Sequence, residues 1–213
     1  MNMLEYQAKS LLGRHELPVP TSWLVRKPTS IPIGIVYPVV AKSQVPVGGR
    51  GKVGGIVSVH SADELDSVLK TIFSLSIKGH LPTAILLEEK LTVSRELYLA
   101  LRLNRDKRMI EWMASLTGGV DIEDNVDSIV TLPYDSPDVK ARLATTLLVD
   151  ESQITPLIEQ MSDCFQGSDL TLLEINPLMV TNDGRLICAD AKCIVDDNAR
   201  FRQPNLPWPT ETT

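Results

Sequence analysis

The chain has 213 residues, 43% of them hydrophobic and 23% charged, which is the composition of an ordinary folded protein with one large domain or two small ones. Its 27 acidic side chains outnumber 21 basic ones, for a net charge of −6. That balance argues against sequence-independent nucleic-acid binding, where phosphate neutralisation dominates affinity. No apolar run approaches the ~18 residues of a membrane span, and Glu5 and Lys9 interrupt the N-terminal apolar pattern, so it is no signal-peptide core. The expectation is a cytoplasmic protein with no nucleic-acid and no membrane partner.

In chain order, residues 3–12 place Leu4, Ala8, Leu11 and Leu12 on one helical face, with Asn2 as cap, Glu5 three positions on and Gly13 as the stop. ELPVPTSW leads away through two prolines. GIVYPVVAKSQV reads as one strand or two short ones, and GGIVSVHS as the returning strand across a glycine-rich loop. Ser61 followed by Glu64 marks a helix whose buried face is Leu65, Val68, Leu69, Ile72 and Phe73. TAILLEEKL is a buried strand ending in acids, and RELYLALRLNRDKRMIEWMAS is a hairpin turning at Asn104–Lys107. Ser136-Pro137 opens a helix with proline at its first position, and Glu151–Phe165 forms another, ended by Gly167. LTLLEINPLMVTNDGRLICADAK gives two apolar strands around Asn182-Asp183-Gly184. The tail FRQPNLPWPTETT, with prolines and no periodicity, reads as a linker. The order is mixed α+β with antiparallel hairpins.

Three cysteines, Cys164, Cys188 and Cys193, are an odd number without a CxxC spacing, which fits a reducing compartment and plain thiols. His15, His60 and His80 lack zinc-ligand spacing relative to them and have no neighbours that suggest a catalytic triad.

The stretch KSQVPVGGRGKVGG, residues 42–55, combines glycines with Lys42, Arg50 and Lys52. Glycines let the backbone approach a ligand, and exposed N–H groups with nearby cations favour an anion such as a polyphosphate. A flexible hairpin tip with solvated cations is the plainer alternative. No Walker loop is present. Lys42 discriminates, because a lysine inside an apolar strand needs a partner for its charge. Glu88 and Glu96 bracket the next strand pair and read either as ribose-recognising acids at a hinge or as solvated edge acids, the latter favoured for Glu88 on spacing alone.

In the last hairpin, a three-residue loop with Gly184 left-handed sets Thr181 opposite Arg185 and therefore Asn176 opposite Asp190. Glu174 points to the same side as Asn176. These oxygen donors suit Mg²⁺ with nucleotide phosphates completing the shell. A two-residue Asp-Gly loop would slip the register by one and turn Asp190 to the other face. The alternative to a metal site is a strand irregularity at Asn176-Pro177 with two solvated acids.

MNMLEYQAKSLL, VVAKSQVPVGGRGKVGGIVSV, ILLEEKLTVSRELYLAL, MASLTGGVDIE, LLEINPLMVTNDGRLICADAK and NARFRQPNL occur in this order. Together they resemble the nucleotide-binding half of succinyl-CoA synthetase β subunits, members of the ATP-grasp superfamily, from residue 1 to about Leu206. The resemblance implies an α+β ATP-grasp domain over 1–206, with one subdomain at 18–91 and another from 1–17 plus 92–206, gripping ATP or GTP, and a linker-like tail at 207–213. By the same resemblance Lys42 contacts the phosphates and Gly49, Arg50 and Gly51 form the covering loop. Glu88 and the backbone near Leu91 lie at the purine hinge, and Glu96 reaches the ribose side. Asn176 and Asp190 match Mg²⁺ ligands, with Glu174 supporting them. The activity implied is ADP-forming carboxylate–CoA ligation, in which ATP phosphorylates a histidine of a partner α subunit. No catalytic nucleophile is then expected in this chain.

Several features depart from the family. Its flavodoxin-like CoA-ligase domain is absent after FRQPNL, so the expectation is a cut or stand-alone grasp domain that does not complete acyl-CoA synthesis alone. Thr117 stands where an acid is usual, Pro46-Val47 replaces His-Ala, and the segments around 79–83 and 124–140 are short. The competing readings are a non-catalytic nucleotide-binding paralogue and a ligase module for another carboxylate such as malate or citrate.

Overall fold

In a computed structural model, residues 1–119, 122 and 126–209 are described. Parts of the GGVDIE stretch, the start of the 124–140 segment and residues 210–213 of the tail lie outside them. The chain divides into two compact units, Met1–Val19 with Val93–Thr213, and Pro20–Thr92. Every strand pairing is antiparallel, in the α+β arrangement the hairpin patterns imply.

The Pro20–Thr92 unit is a four-stranded sheet in the order β1-β4-β2-β3, formed by Ser22–Val25, Ala84–Glu89, Val39–Gln44 and Ile56–Val59. Helix α2, Ala62–Ser74, covers one face. Its Leu65, Leu69 and Ile72 pack with Val25, Val39, Ala41, Val59, Ile85 and Leu87. Each buried Leu, Ile or Val side chain contributes roughly 1.5–3 kcal/mol of transfer free energy. The GIVYP part of the expected strand is not extended ladder, and β2 begins only at Val39, because Pro38 has no N–H to give it.

The other unit is built on a six-stranded sheet in the order β10-β8-β5-β6-β7, with β9 paired to β8. Its strands are β5 (Val93–Asn104), β6 (Met109–Ser115), β7 (Val130–Pro133), β8 (Leu170–Thr181), β9 (Leu186–Cys188) and β10 (Ala191–Val195). One face packs against α1 (Glu5–Arg14), α3 (Val139–Leu147) and α4 (Glu151–Gly167), burying Leu11, Leu12, Leu99, Leu101, Leu143, Ile154, Leu173 and Ile175.

Several local expectations shift. Helix α1 is capped at Leu4, whose N–H is taken by the Gln7 side chain, while Asn2 bridges to Ile194. Helix α3 starts at Val139, two residues beyond Pro137, because Ser136 bonds the Asp138 carboxylate and the pair shapes a turn ahead of the helix. The short strands β1 and β7 have no periodicity long enough to announce them. The tail is not a linker throughout: Leu206 is 7% exposed and belongs to the core, and Trp208 donates its indole N–H to Gln203 O at 2.7 Å. Arg202 makes two bonds to the Asp169 carboxylate, at 3.0 and 2.6 Å, which hold that segment against the domain.

Candidate functional site

Within the Pro20–Thr92 unit, Val40 pairs with Glu88 and Lys42 with Leu86, so Lys42 and Glu88 are diagonal neighbours on the sheet face opposite α2. Their charged atoms are 2.5 Å apart, with side chains 12% and 2% exposed. The edge-acid reading of Glu88 is therefore wrong. Strand β4 lies inside the sheet between β1 and β2, a fact of strand order that the local sequence does not carry.

The glycine-rich loop joins β2 to β3 and makes one short 3-10 turn at Gly51–Val53, not an α-helix. It is pinned near Lys42: the Arg50 guanidinium donates to Ser43 O at 3.0 Å, Gly55 N–H donates to Arg50 O at 2.8 Å, and Ser43 N–H donates to Gly55 O at 2.8 Å. Gly49 and Gly51 flank Arg50 in this loop. Leu91 sits in the Lys90–Thr92 segment leading from β4 to β5.

In the other unit, Leu178 pairs with Cys188, Met179 with Ile187 and Val180 with Leu186. Gly184 has φ of 84°, and Thr181 N–H donates to Arg185 O at 2.9 Å. This is the three-residue loop, and the slipped register is excluded. The ladder runs on through the break between β9 and β10: Ala189 N–H donates to Pro177 O at 3.2 Å, and Asn176 N–H to Asp190 O at 3.1 Å. Asn176 thus stands opposite Asp190, and Glu174 opposite Lys192. Glu174 and Asn176 point away from the helix-covered face, which takes Leu173 and Ile175. Tyr98 donates to Glu174 at 3.4 Å, and burial, with the Glu174 carboxylate next to it, pushes that phenol well above its ordinary range.

Two neighbours of these residues, Gly119 and Lys9, are not among the site residues expected from the sequence. Gly119 bonds the Asn176 carboxamide at both ends, at 2.6 and 3.1 Å. The carbonyl of Glu96 accepts from Gly118 N–H at 3.0 Å, so Glu96 is gathered with Gly118, Gly119 and Asn176. Lys9 is buried, pairs with Glu5 at 2.9 Å and donates to Ala189 O at 2.6 Å, next to Asp190. Charged residues four apart in an apolar helix pattern were the available signal for Lys9. The adjacent glycines were the signal for the turn.

Among the described residues no group of three or more His, Cys, Asp or Glu could hold a metal ion. The oxygen set of Asn176, Asp190 and Glu174 is of another composition, one carboxamide and two carboxylates, and its hard donors fit Mg²⁺ rather than a soft metal. No described helix is long and apolar enough to cross a membrane.

A family model described as an ATP-grasp domain matches residues 2–180. The succinate–CoA ligase (ADP-forming) subunit beta of Ignicoccus hospitalis is 35% identical over 222 residues, taking in 97% of this chain and 58% of the relative. Its counterpart in Coxiella burnetii is 36% identical over 238 residues, with 100% of this chain and 61% of the relative covered. The chain thus spans about three fifths of the length of these curated relatives. Among solved structures, the dinucleotide-forming acetyl-coenzyme A synthetase 1 of Ca. Korarchaeum cryptofilum, in complex with coenzyme A, Ca-AMPCP and HgCl+, shares the fold. Its TM-score is 0.75 at 20% identity, over 92% of this chain and 93% of that one.

Proposed function

The chain belongs to the ATP-grasp domain family, and from that premise we propose that it binds a purine nucleoside triphosphate with Mg²⁺ as the nucleotide-binding part of an ADP-forming carboxylate–CoA ligase. Lys42 and the Gly49-Arg50-Gly51 loop take the phosphates. Glu88, the backbone near Leu91 and Glu96 take the nucleoside. Asn176 and Asp190, supported by Glu174, would hold the magnesium, which would supply charge neutralisation to the phosphates. The observation that carries this reading is the hairpin register that sets Asn176 opposite Asp190, with Glu174 on the same helix-free face.

The chain's own part is positioning and charge neutralisation. Following the family resemblance, the phosphoryl acceptor proposed is a histidine of an α-type partner subunit; the curated relatives' designation as subunit beta supports such a partner. Succinate is the carboxylate named for the relatives at about 35% identity, and it is the one proposed for the assembled enzyme.

Calorimetric titration of MgATP and MgGTP into the chain and its Asp190→Ala variant tests the reading. Magnesium-dependent binding that disappears in the variant is the expected result. A folded wild-type chain that binds neither nucleotide would overturn it.

A further inference from the structure

One backbone residue holds the Asn176 carboxamide at both of its ends. Gly119 N–H donates to Asn176 Oδ1 at 2.6 Å, and Asn176 Nδ2 donates to Gly119 O at 3.1 Å. A carboxamide turned over in this place would set donor against donor and acceptor against acceptor, losing both bonds. The pairing therefore fixes where the oxygen of Asn176 lies as well as the plane of the group. A carboxamide oxygen accepts in two directions, so the bond from Gly119 is compatible with ligation of a cation by the same atom.

Gly119 has a backbone conformation that disfavours a side chain. Its φ is +76°, and a Cβ there would come 2.7 Å from Glu96 Oε2. A Cβ on Gly118 would run into the Leu97 backbone, while Gly118 N–H is tied to Glu96 O at 3.0 Å. Strand β5 thus supports the turn, and the turn supports Asn176 on strand β8.

We infer that the Gly118-Gly119 turn is a positioning element for the divalent cation: it orients the Asn176 oxygen toward the metal. It also accounts for an asparagine at 176, because only a donor can face the Gly119 carbonyl. An aspartate there would place carboxylate oxygen against carbonyl oxygen. The inference rests on Asn176 being a metal ligand, as proposed above. Hydrogen-bonding partners that orient metal ligands commonly change metal affinity about 10- to 100-fold when removed.

The test follows Mn²⁺ binding in the presence of ATP, through the paramagnetic resonance signal of the free ion. It uses the full chain and its Gly119→Ala, Asn176→Asp and Asp190→Ala variants, with thermal unfolding of each alongside. Gly119→Ala is expected to weaken Mn²⁺ binding at least about tenfold, more than any loss of metal-free ATP affinity that its Cβ causes by pressing on Glu96. Asn176→Asp is expected to weaken it too, despite the added negative charge. Wild-type binding that is lost in Asp190→Ala, yet equal to wild type in a folded Gly119→Ala or stronger in Asn176→Asp, overturns the inference and leaves the metal reading standing. If Gly119→Ala does not fold, Asn176→Asp decides alone. Absence of ATP-dependent Mn²⁺ binding in the wild-type chain overturns the metal reading and the inference with it.

Discussion

The Lys42 ammonium lies 2.5 Å from the Glu88 carboxylate on the sheet face opposite helix α2, and the Glu88 side chain is 2% exposed. Removing one partner of such a pair strands the other charge away from water, which costs more than the pair contributes. Lys42→Met is therefore expected to destabilise the chain by about 3–5 kcal/mol in urea unfolding. The double variant Lys42→Met/Glu88→Leu should regain most of that loss, while neither variant binds MgATP. Full stability in Lys42→Met would show that the two charges are not coupled.

Glu111, at the end of the β5–β6 hairpin, titrates well below an ordinary glutamate. Burial alone would raise its pKa, but hydrogen bonds from Lys107, Asn104 and Arg102 together hold it at about 2. Since the folded value lies below the unfolded one, the carboxylate stabilises the fold above about pH 4.5, and that contribution is lost as pH falls toward 2. Glu111→Gln should cost about 1–2 kcal/mol at neutral pH, allowing for screening of the half-exposed partners. The gap between the two unfolding curves should close as the solution is acidified from pH 4.5 to 2. A gap independent of pH would assign the cost to packing.

How much of this was legible in the sequence depended on the range of the interaction. The final hairpin could be read residue by residue, because Gly184 sets the turn and the turn sets every pair after it. Lys42 announced a buried partner by standing in an apolar run. Which glutamate answered it was not readable, because β4 becomes an inner strand only when β1 pairs on its far side. The Asn176–Gly119 pairing joins residues 57 positions apart, and Lys9 to Ala189 spans 180. No local pattern encodes either. The tail misled for a related reason: its prolines and lack of period are real, yet Leu206 reaches the core on its own.

That tail gives a direct check. Leu206 is buried in the main core cluster, so Leu206→Ala removes packed apolar volume. A loss of about 2–3 kcal/mol in urea unfolding is expected. A leucine in a solvated linker would lose less than about 0.5 kcal/mol.

All three thiols are buried, and burial raises their pKa values, to about 12 for Cys164 and Cys188 and well upward for Cys193. Because the thiolate is the reactive form, iodoacetamide at pH 8 should leave the native chain unlabelled and modify three residues in urea. Rapid labelling of the native chain at any one of them would mean that its strand or helix opens readily.

Lys9 braces the corner that carries Asp190. Its ammonium pairs with Glu5 at 2.9 Å and donates to Ala189 O at 2.6 Å. Cys188 N–H is taken by Pro18 O at 2.8 Å, and Asp190 O accepts from Asn176 N–H at 3.1 Å. The corner between β9 and β10 is thus fixed on both sides, and Lys9 supplies its charged anchor. Lys9→Met removes the ion-pair partner of the buried Glu5 carboxylate and one donor to the Ala189 carbonyl, at a cost of about 3–5 kcal/mol. Pairing it with Glu5→Leu should restore most of the global stability but not the corner. Amide hydrogen exchange read residue by residue separates the two effects. In the double variant, protection should fall at Cys188 to Asp190 and at Asn176 and stay near wild type along Leu97–Leu101. Unchanged protection at the corner would leave Lys9 only a charge partner for Glu5.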